Sequence, residues 1–154
     1  MELSRLLNPG AVRTLAQLTS KKRLFQELGE IVAQTCKINA GVAVDGLQER
    51  ESLGQTGVGS GIALPHARLE ELDRIVGVFV RLEKPLDYDS VDRHPVDLVF
   101  ALFAPKDSGV EHLKALALVS RTMRDPSVCA KLRANSDPLK LHAILTEIRT
   151  PQAA

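Results

Sequence analysis

The 154-residue chain carries 20 basic and 19 acidic side chains, a net charge of +1, with 44% hydrophobic and 25% charged residues. That length suits one domain with a continuous core. The charge balance excludes a general affinity for nucleic acid or anionic membrane, and 3% aromatics without tryptophan exclude a base-stacking platform. No apolar run approaches the roughly 20 residues that span a bilayer, so membrane insertion is not expected. The start, MELSRLLNPG, lacks the basic residues and long apolar stretch of a secretory signal. Cys36 and Cys129 lie far apart outside any CxxC pattern and read as buried, reduced thiols, which places the protein in the cytoplasm.

Residues 1–19 have weak periodicity and a Pro9-Gly10 turn, and no element is assigned to them. From Ser20, an N-cap, to Cys36 the residues Leu24, Phe25, Leu28, Ile31 and Val32 form one apolar helical stripe. A second helix is expected over Asn39 to Ser52, closed by Gly54 in a left-handed cap, which puts Arg50 in its last turn. Short apolar runs then predict strands at Gly61–Pro65, Val76–Leu82 and Val96–Ala104, the last apolar enough to be covered on both faces. Three helices follow, at Val110–Arg124, Pro126–Ala134 and Pro138–Thr150. The last two open on Asp-Pro pairs, and Leu141, Ile144, Leu145 and Ile148 form the final apolar stripe. Residues 151–154 read as a disordered tail. The order predicts an α/β fold, a single domain over 1–154 with a mixed β-sheet flanked by helices on its faces.

The chemistry centres on GVGSGIALPHAR, residues 57–68. A P-loop is excluded because no lysine occurs between Lys37 and Lys84, and a dinucleotide fingerprint fails because Ile62 stands where the third glycine belongs. His66, His94, His112 and His142 show no zinc spacing, and Gly59-Ser60-Gly61 is one residue too tight for a hydrolase elbow. No metal and no cofactor is expected. Three glycines can turn backbone N–H groups toward an anion, and Pro65 stiffens the entry to His66 at the end of its strand. A neutral imidazole so placed can act as a nucleophile and pass a phosphoryl group on. Taken alone, Arg50 reads more readily as a solvated helix-end charge and His112 as a surface residue. Thr56 and Ser60 are turn residues as readily as phosphate donors. His94 and His142 carry no assigned role, and Glu70 to Asp73 reads as a solvated loop.

The run Arg50-Glu-Ser-Leu-Gly-Gln-Thr-Gly-Val-Gly-Ser-Gly-Ile-Ala-Leu-Pro-His66 resembles the active-site signature of enzyme IIA components of the bacterial phosphoenolpyruvate-dependent phosphotransferase system. The likeness is to the fructose/mannitol type and its nitrogen-regulatory branch. It extends through VGVFVRL at 76–82, KPLDY at 84–88, PVDLVFALFAP at 95–105 and Glu111-His112-Leu113. The resemblance implies a phosphotransferase in which His66 accepts phosphate on Nε2 from a phosphohistidine of a small HPr-like carrier. It also implies that Arg50 stabilises the phosphate charge and that His112 orients ring or phosphate. Thr56, Gly57, Gly59, Ser60 and Gly61 are the candidates for a phosphate-binding loop.

The chain ends at Thr150-Pro-Gln-Ala-Ala154 with no permease or carrier segment attached, which fits the nitrogen branch. A regulatory phosphocarrier that signals through phosphorylation-dependent binding to other proteins is therefore expected. Two alternatives stand beside it. One is a transport enzyme IIA that passes phosphate to a fructose/mannitol-type permease domain. The other is a partner-binding module whose phosphorylation is incidental.

Overall fold

A computed structural model describes residues 1–147. In chain order these form α1 (Leu3–Leu6), a single 3-10 turn at Pro9–Ala11, β1 (Val12–Leu15), α2 (Lys21–Cys36), α3 (Ala40–Ser52), β2 (Gly57–Gly59), β3 (Ile62–Ala63), β4 (His66–Leu69), β5 (Val76–Leu86), β6 (Val96–Pro105), α4 (Val110–Arg124), α5 (Pro126–Arg133) and α6 (Pro138–Thr146). Ile148, the expected continuation of α6 to Thr150, and the tail at 151–154 lie outside the described residues.

One mixed sheet runs in the order β1-β5-β6-β3-β2, with β4 also on β6. β5 pairs antiparallel with β6, while β1 runs parallel to β5, and β3 and β4 parallel to β6. Every residue from Leu98 to Ala104 is buried, so both faces of β6 are covered, as its unbroken apolar run requires. Phe79 and Phe100 meet edge to face, with centroids 6.1 Å apart, at the sheet's centre. Burying each such side chain stabilises the fold by about 1.5–3 kcal/mol. The α/β fold with a mixed sheet flanked by helices is thus the one expected.

The helix starts follow from local chemistry. Ser20 accepts from the Arg23 N–H, Asn39 from Val42, Asp125 from Ser127 and Asp137 from Leu139. Each cap satisfies a donor that the helix leaves orphaned and is worth about 1 kcal/mol.

Four expectations need correction. Residues 12–15 form an edge strand, Val12 pairing with Phe79, where no element was assigned. Its two residues Arg13 and Thr14 break any apolar alternation, which hides it from periodicity. Gly54 does not cap α3 in the left-handed region. Leu53 takes that place with a right-handed helical backbone, and Gly54 has φ 158°. Cys36 is only half-buried, though both cysteines are free.

The fourth correction concerns His66 itself, which begins four further strand residues instead of ending a strand. Ile62 pairs with Leu98 and His66 with Leu102, the same offset, so β3 and β4 are two pieces of one line along β6. Pro65 has no N–H and interrupts the ladder between them. Its carbonyl still accepts from Leu102 N at 3.0 Å. The prolyl ring therefore stiffens the backbone in mid-strand, directly before the imidazole.

Helix α3 lies close over this line. An added Cβ on Gly46 would sit 3.1 Å from both Ala67 Cβ and Leu69 Cδ2. The missing side chain thus lets the helix approach β4, and one turn later Arg50 meets His66.

Candidate active site

His66 is half-buried, and its two ring nitrogens face different partners. Nδ1 is 3.0 Å from the Leu64 carbonyl oxygen, which can only accept, so Nδ1 carries the proton and donates. Nε2 then holds the lone pair. It accepts from Arg50 Nε at 3.1 Å, while Arg50 Nη1 donates to the Gly54 carbonyl at 2.8 Å. A guanidinium has no acceptor, so this contact requires the same tautomer. Burial lowers the His66 pKa below the usual imidazole range. The Leu64 bond and Glu51 oppose that shift, and the Arg50 and Arg68 charges add to it. The donor from Arg50 requires the neutral ring, whose lone-pair nitrogen it covers.

His112 stands in the first turn of α4 and is 4% exposed. Its ring meets that of His66 edge to face, with centroids 5.6 Å apart. Arg68 Nε donates to His112 Nδ1 at 3.0 Å, which leaves the proton on Nε2. That Nε2 is buried and has no hydrogen-bond partner among the described residues. An unmet buried donor costs roughly 1–3 kcal/mol, which an acceptor brought to that nitrogen would relieve.

Burial, reinforced by His66 and Arg68, takes the His112 pKa down to about 4. Below about pH 6.5 the unfolded chain binds a proton there that the folded chain refuses until about pH 4. Stability is therefore lost as pH falls through that window. His112→Gln is expected to flatten the loss when urea midpoints of variant and wild type are compared at neutral and mildly acid pH.

Around the two rings Arg50, Arg68 and Lys106 line an open cleft together with Leu53, Leu113 and Leu116. Leu53 and Leu113 are 81% and 63% exposed, large apolar side chains left in solvent at the rim. Behind Arg50, the Glu51 carboxylate ties the end of α3 to the following loop. It accepts from Thr56 N at 2.9 Å, Thr56 Oγ1 at 2.6 Å and Tyr88 Oη at 3.3 Å, and pairs with Lys21 Nζ at 3.0 Å. Lys21 Nζ also sits 4.4 Å from the centroid of the buried Tyr88 ring. Burial pushes the Tyr88 pKa well up, so its hydroxyl stays protonated and donates.

The structure brings together His66, His112 and Arg50 and sets the glycine loop apart. Thr56 is buried and bonded to Glu51 and Tyr88. Gly57 N donates to Gln55 Oε1, and Ser60 N to Asp92 Oδ2. Gly57 and Gly59 form β2, which pairs with β3 through a turn at Ser60 and Gly61, both with positive φ (58° and 81°). Arg133 closes that turn from α5, bonding the Ser60 carbonyl and gripping Asp97 with two nitrogens. None of the five lines the cleft that holds His66. Their glycines serve a tight hairpin, a use the sequence allows equally.

His94 is exposed, and His142 Nε2 is 2.9 Å from the Leu7 carbonyl, away from the site. Two site residues were missed. Arg68 follows His66 by two positions, the spacing that puts strand side chains on one face, but a strand ending at Pro65 hides that relation. Glu51 sits inside the signature without an assigned role. Among the described residues no group of three or more His, Cys, Asp and Glu side chains could hold a metal ion, and no helix is long and apolar enough to cross a membrane.

Paired histidines with guarded nitrogens suit phosphoryl transfer, and comparison with known proteins decides the family. Residues 5–148 match the family model described as "Phosphoenolpyruvate-dependent sugar phosphotransferase system, EIIA 2". The chain belongs to this family. It is an EIIA component, a phosphotransferase that carries its phosphoryl group on histidine. Among relatives of this EIIA protein is a nitrogen regulatory protein of Bradyrhizobium diazoefficiens, 41% identical over 94% of this chain and 95% of the relative. The fructose-specific EIIABC component of Bacillus subtilis is 30% identical over 78% of this chain and 19% of that longer protein. The crystal structure of nitrogen regulatory protein IIA-Ntr from Neisseria meningitidis superposes with a TM-score of 0.84 at 32% identity, covering 92% and 97% of the two chains.

Proposed function

We propose that this EIIA protein is a regulatory phosphocarrier of the nitrogen-related phosphotransferase system. His66 Nε2 accepts the phosphoryl group from a phosphohistidine on an HPr-like carrier, and the modified protein signals by binding other proteins differently. The observation that carries the reading is the tautomer of His66. Its Nδ1–H is committed to the Leu64 carbonyl, which leaves Nε2 as the nucleophile. The N–P bond of the donor breaks as the bond from His66 Nε2 to phosphorus forms, and the donor's imidazole leaves with the electron pair. No proton has to move. The Leu64 carbonyl stabilises the positive charge that the ring gains, because its hydrogen bond to Nδ1–H strengthens.

Arg50 must leave Nε2 for the bond to form, and its guanidinium then meets a phosphate carrying nearly two negative charges. Charge-assisted bonds of this kind are worth about 1.5–3 kcal/mol, so Arg50→Ala is expected to shorten the phosphorylated protein's lifetime about 10- to 100-fold with the fold retained. Following hydrolysis of the labelled protein checks it, and an unchanged lifetime and transfer rate contradict the role.

The nitrogen-regulatory reading rests on the higher identity and near-complete mutual coverage of the nitrogen regulatory relative compared with the fructose-specific one. Charge added at a cleft rimmed by exposed leucines changes which proteins can dock there. The test is to label the protein with phosphoenolpyruvate, enzyme I and the carrier, then offer fructose- and mannitol-type permease domains. Label that stays on the protein supports regulation. Rapid onward transfer supports the transport alternative.

A further inference from the structure

We propose that Arg68 is a positioning residue for phosphoryl transfer: its Nε–H, 3.0 Å from His112 Nδ1, locks His112 in the tautomer that presents Nε2–H to a phosphoryl oxygen on His66. The inference rests on His66 as the acceptor. The two imidazoles are guarded by arginines at opposite nitrogens, Arg50 at His66 Nε2 and Arg68 at His112 Nδ1. Since a guanidinium only donates, each guard dictates where the ring's single proton resides. His66 is left with a lone pair on Nε2, and His112 with an N–H there. One ring can attack phosphorus while the other can only donate to its oxygens.

Without Arg68, His112 would choose between tautomers. In the Nδ1–H form its Nε2 would turn a lone pair toward the phosphate oxygens, repelling the group it should hold. Strand geometry sets the arrangement. His66 and Arg68 share a face of β4, so the same strand delivers the acceptor and the group that orients its neighbour. His112 arrives from α4, one ring away. Arg68 touches neither the reacting nitrogen nor, by this account, the phosphorus.

Long-range proton–nitrogen NMR spectra of the 15N-labelled, unphosphorylated protein read the His112 tautomer directly. Wild type is expected to show the Nε2–H form, Arg68→Met a shift toward a mixture, and Arg68→Lys, which keeps a cationic donor, a return toward wild type. The phosphorylated Arg68→Met protein is expected to lose its phosphate about tenfold faster, as for one charge-assisted bond lost or misdirected. The same spectra report whether each variant is folded. An unchanged His112 tautomer in Arg68→Met overturns the proposal, as does an altered tautomer with an unchanged phosphate lifetime. If wild type takes phosphate elsewhere than His66, the functional reading fails on that result, and the part assigned to Arg68 in transfer falls with it.

Discussion

Alanine in place of His66 is expected to abolish acceptance of phosphate from phosphoenolpyruvate, enzyme I and an HPr-like carrier, while the protein stays folded. The ring is half-buried and bonds the Leu64 carbonyl and Arg50 Nε, and Arg50 lines the open cleft, where water can take the place of the lost imidazole. The expected cost in stability is small, about 1 kcal/mol. The loss of function is complete, because no neighbouring group can replace Nε2 as nucleophile. His112 is the nearest candidate, but Arg68 occupies the lone pair on its Nδ1 and its Nε2 carries the proton. Acid-labile, base-stable label should therefore be found in wild type and be missing from His66→Ala. Label of undiminished intensity in the variant would remove His66 from the mechanism.

The largest expected effect on stability is at Glu51. Its side chain is 10% exposed and holds Lys21, both hydrogen-bond donors of Thr56 and the Tyr88 hydroxyl. Replacing it with alanine leaves the Lys21 ammonium without its partner and Thr56 N, in a buried residue, without an acceptor. Removing one member of such a buried network costs about 3–5 kcal/mol. A part of that sum is recovered because Lys21 can turn toward solvent, so Glu51→Ala is expected to lose about 3 kcal/mol in urea unfolding. Glu51→Gln keeps an acceptor and is expected to lose less. A loss under about 1 kcal/mol for the alanine variant contradicts the role given to the network. Since Glu51 fixes the end of α3, phosphate acceptance should fall with it even where the fold survives, as Arg50 loses its place beside His66.

The elements with strong periodicity or caps were legible from the sequence. The stripe from Leu24 to Val32, the apolar run of β6 and the Asp-Pro starts of α5 and α6 all stand as expected. The edge strand β1 was not, because its burial is decided by pairing with Phe79 to Leu82, 67 positions later in the chain by its register. In the site, the structure brings Arg50 and His112 each into contact with His66. The glycine loop was harder to read, since a turn with positive φ and an anion cradle use the same residues. The N–H groups of Gly57 and Ser60 are spent on Gln55 and Asp92. Arg68 was hidden by one wrong boundary. Treating Pro65 as the end of a strand, when it is a gap in one, removes the alternation that links His66 to Arg68.

The central claim is that the phosphoryl group sits on one particular nitrogen. The direct measurement is nitrogen and phosphorus NMR on 15N-histidine-labelled protein before and after phosphorylation by the carrier. The His66 signals are expected to change, with phosphorus bonded to Nε2 and Nδ1 still protonated against Leu64. Phosphorus on Nδ1 of His66, or on any other residue, would contradict it.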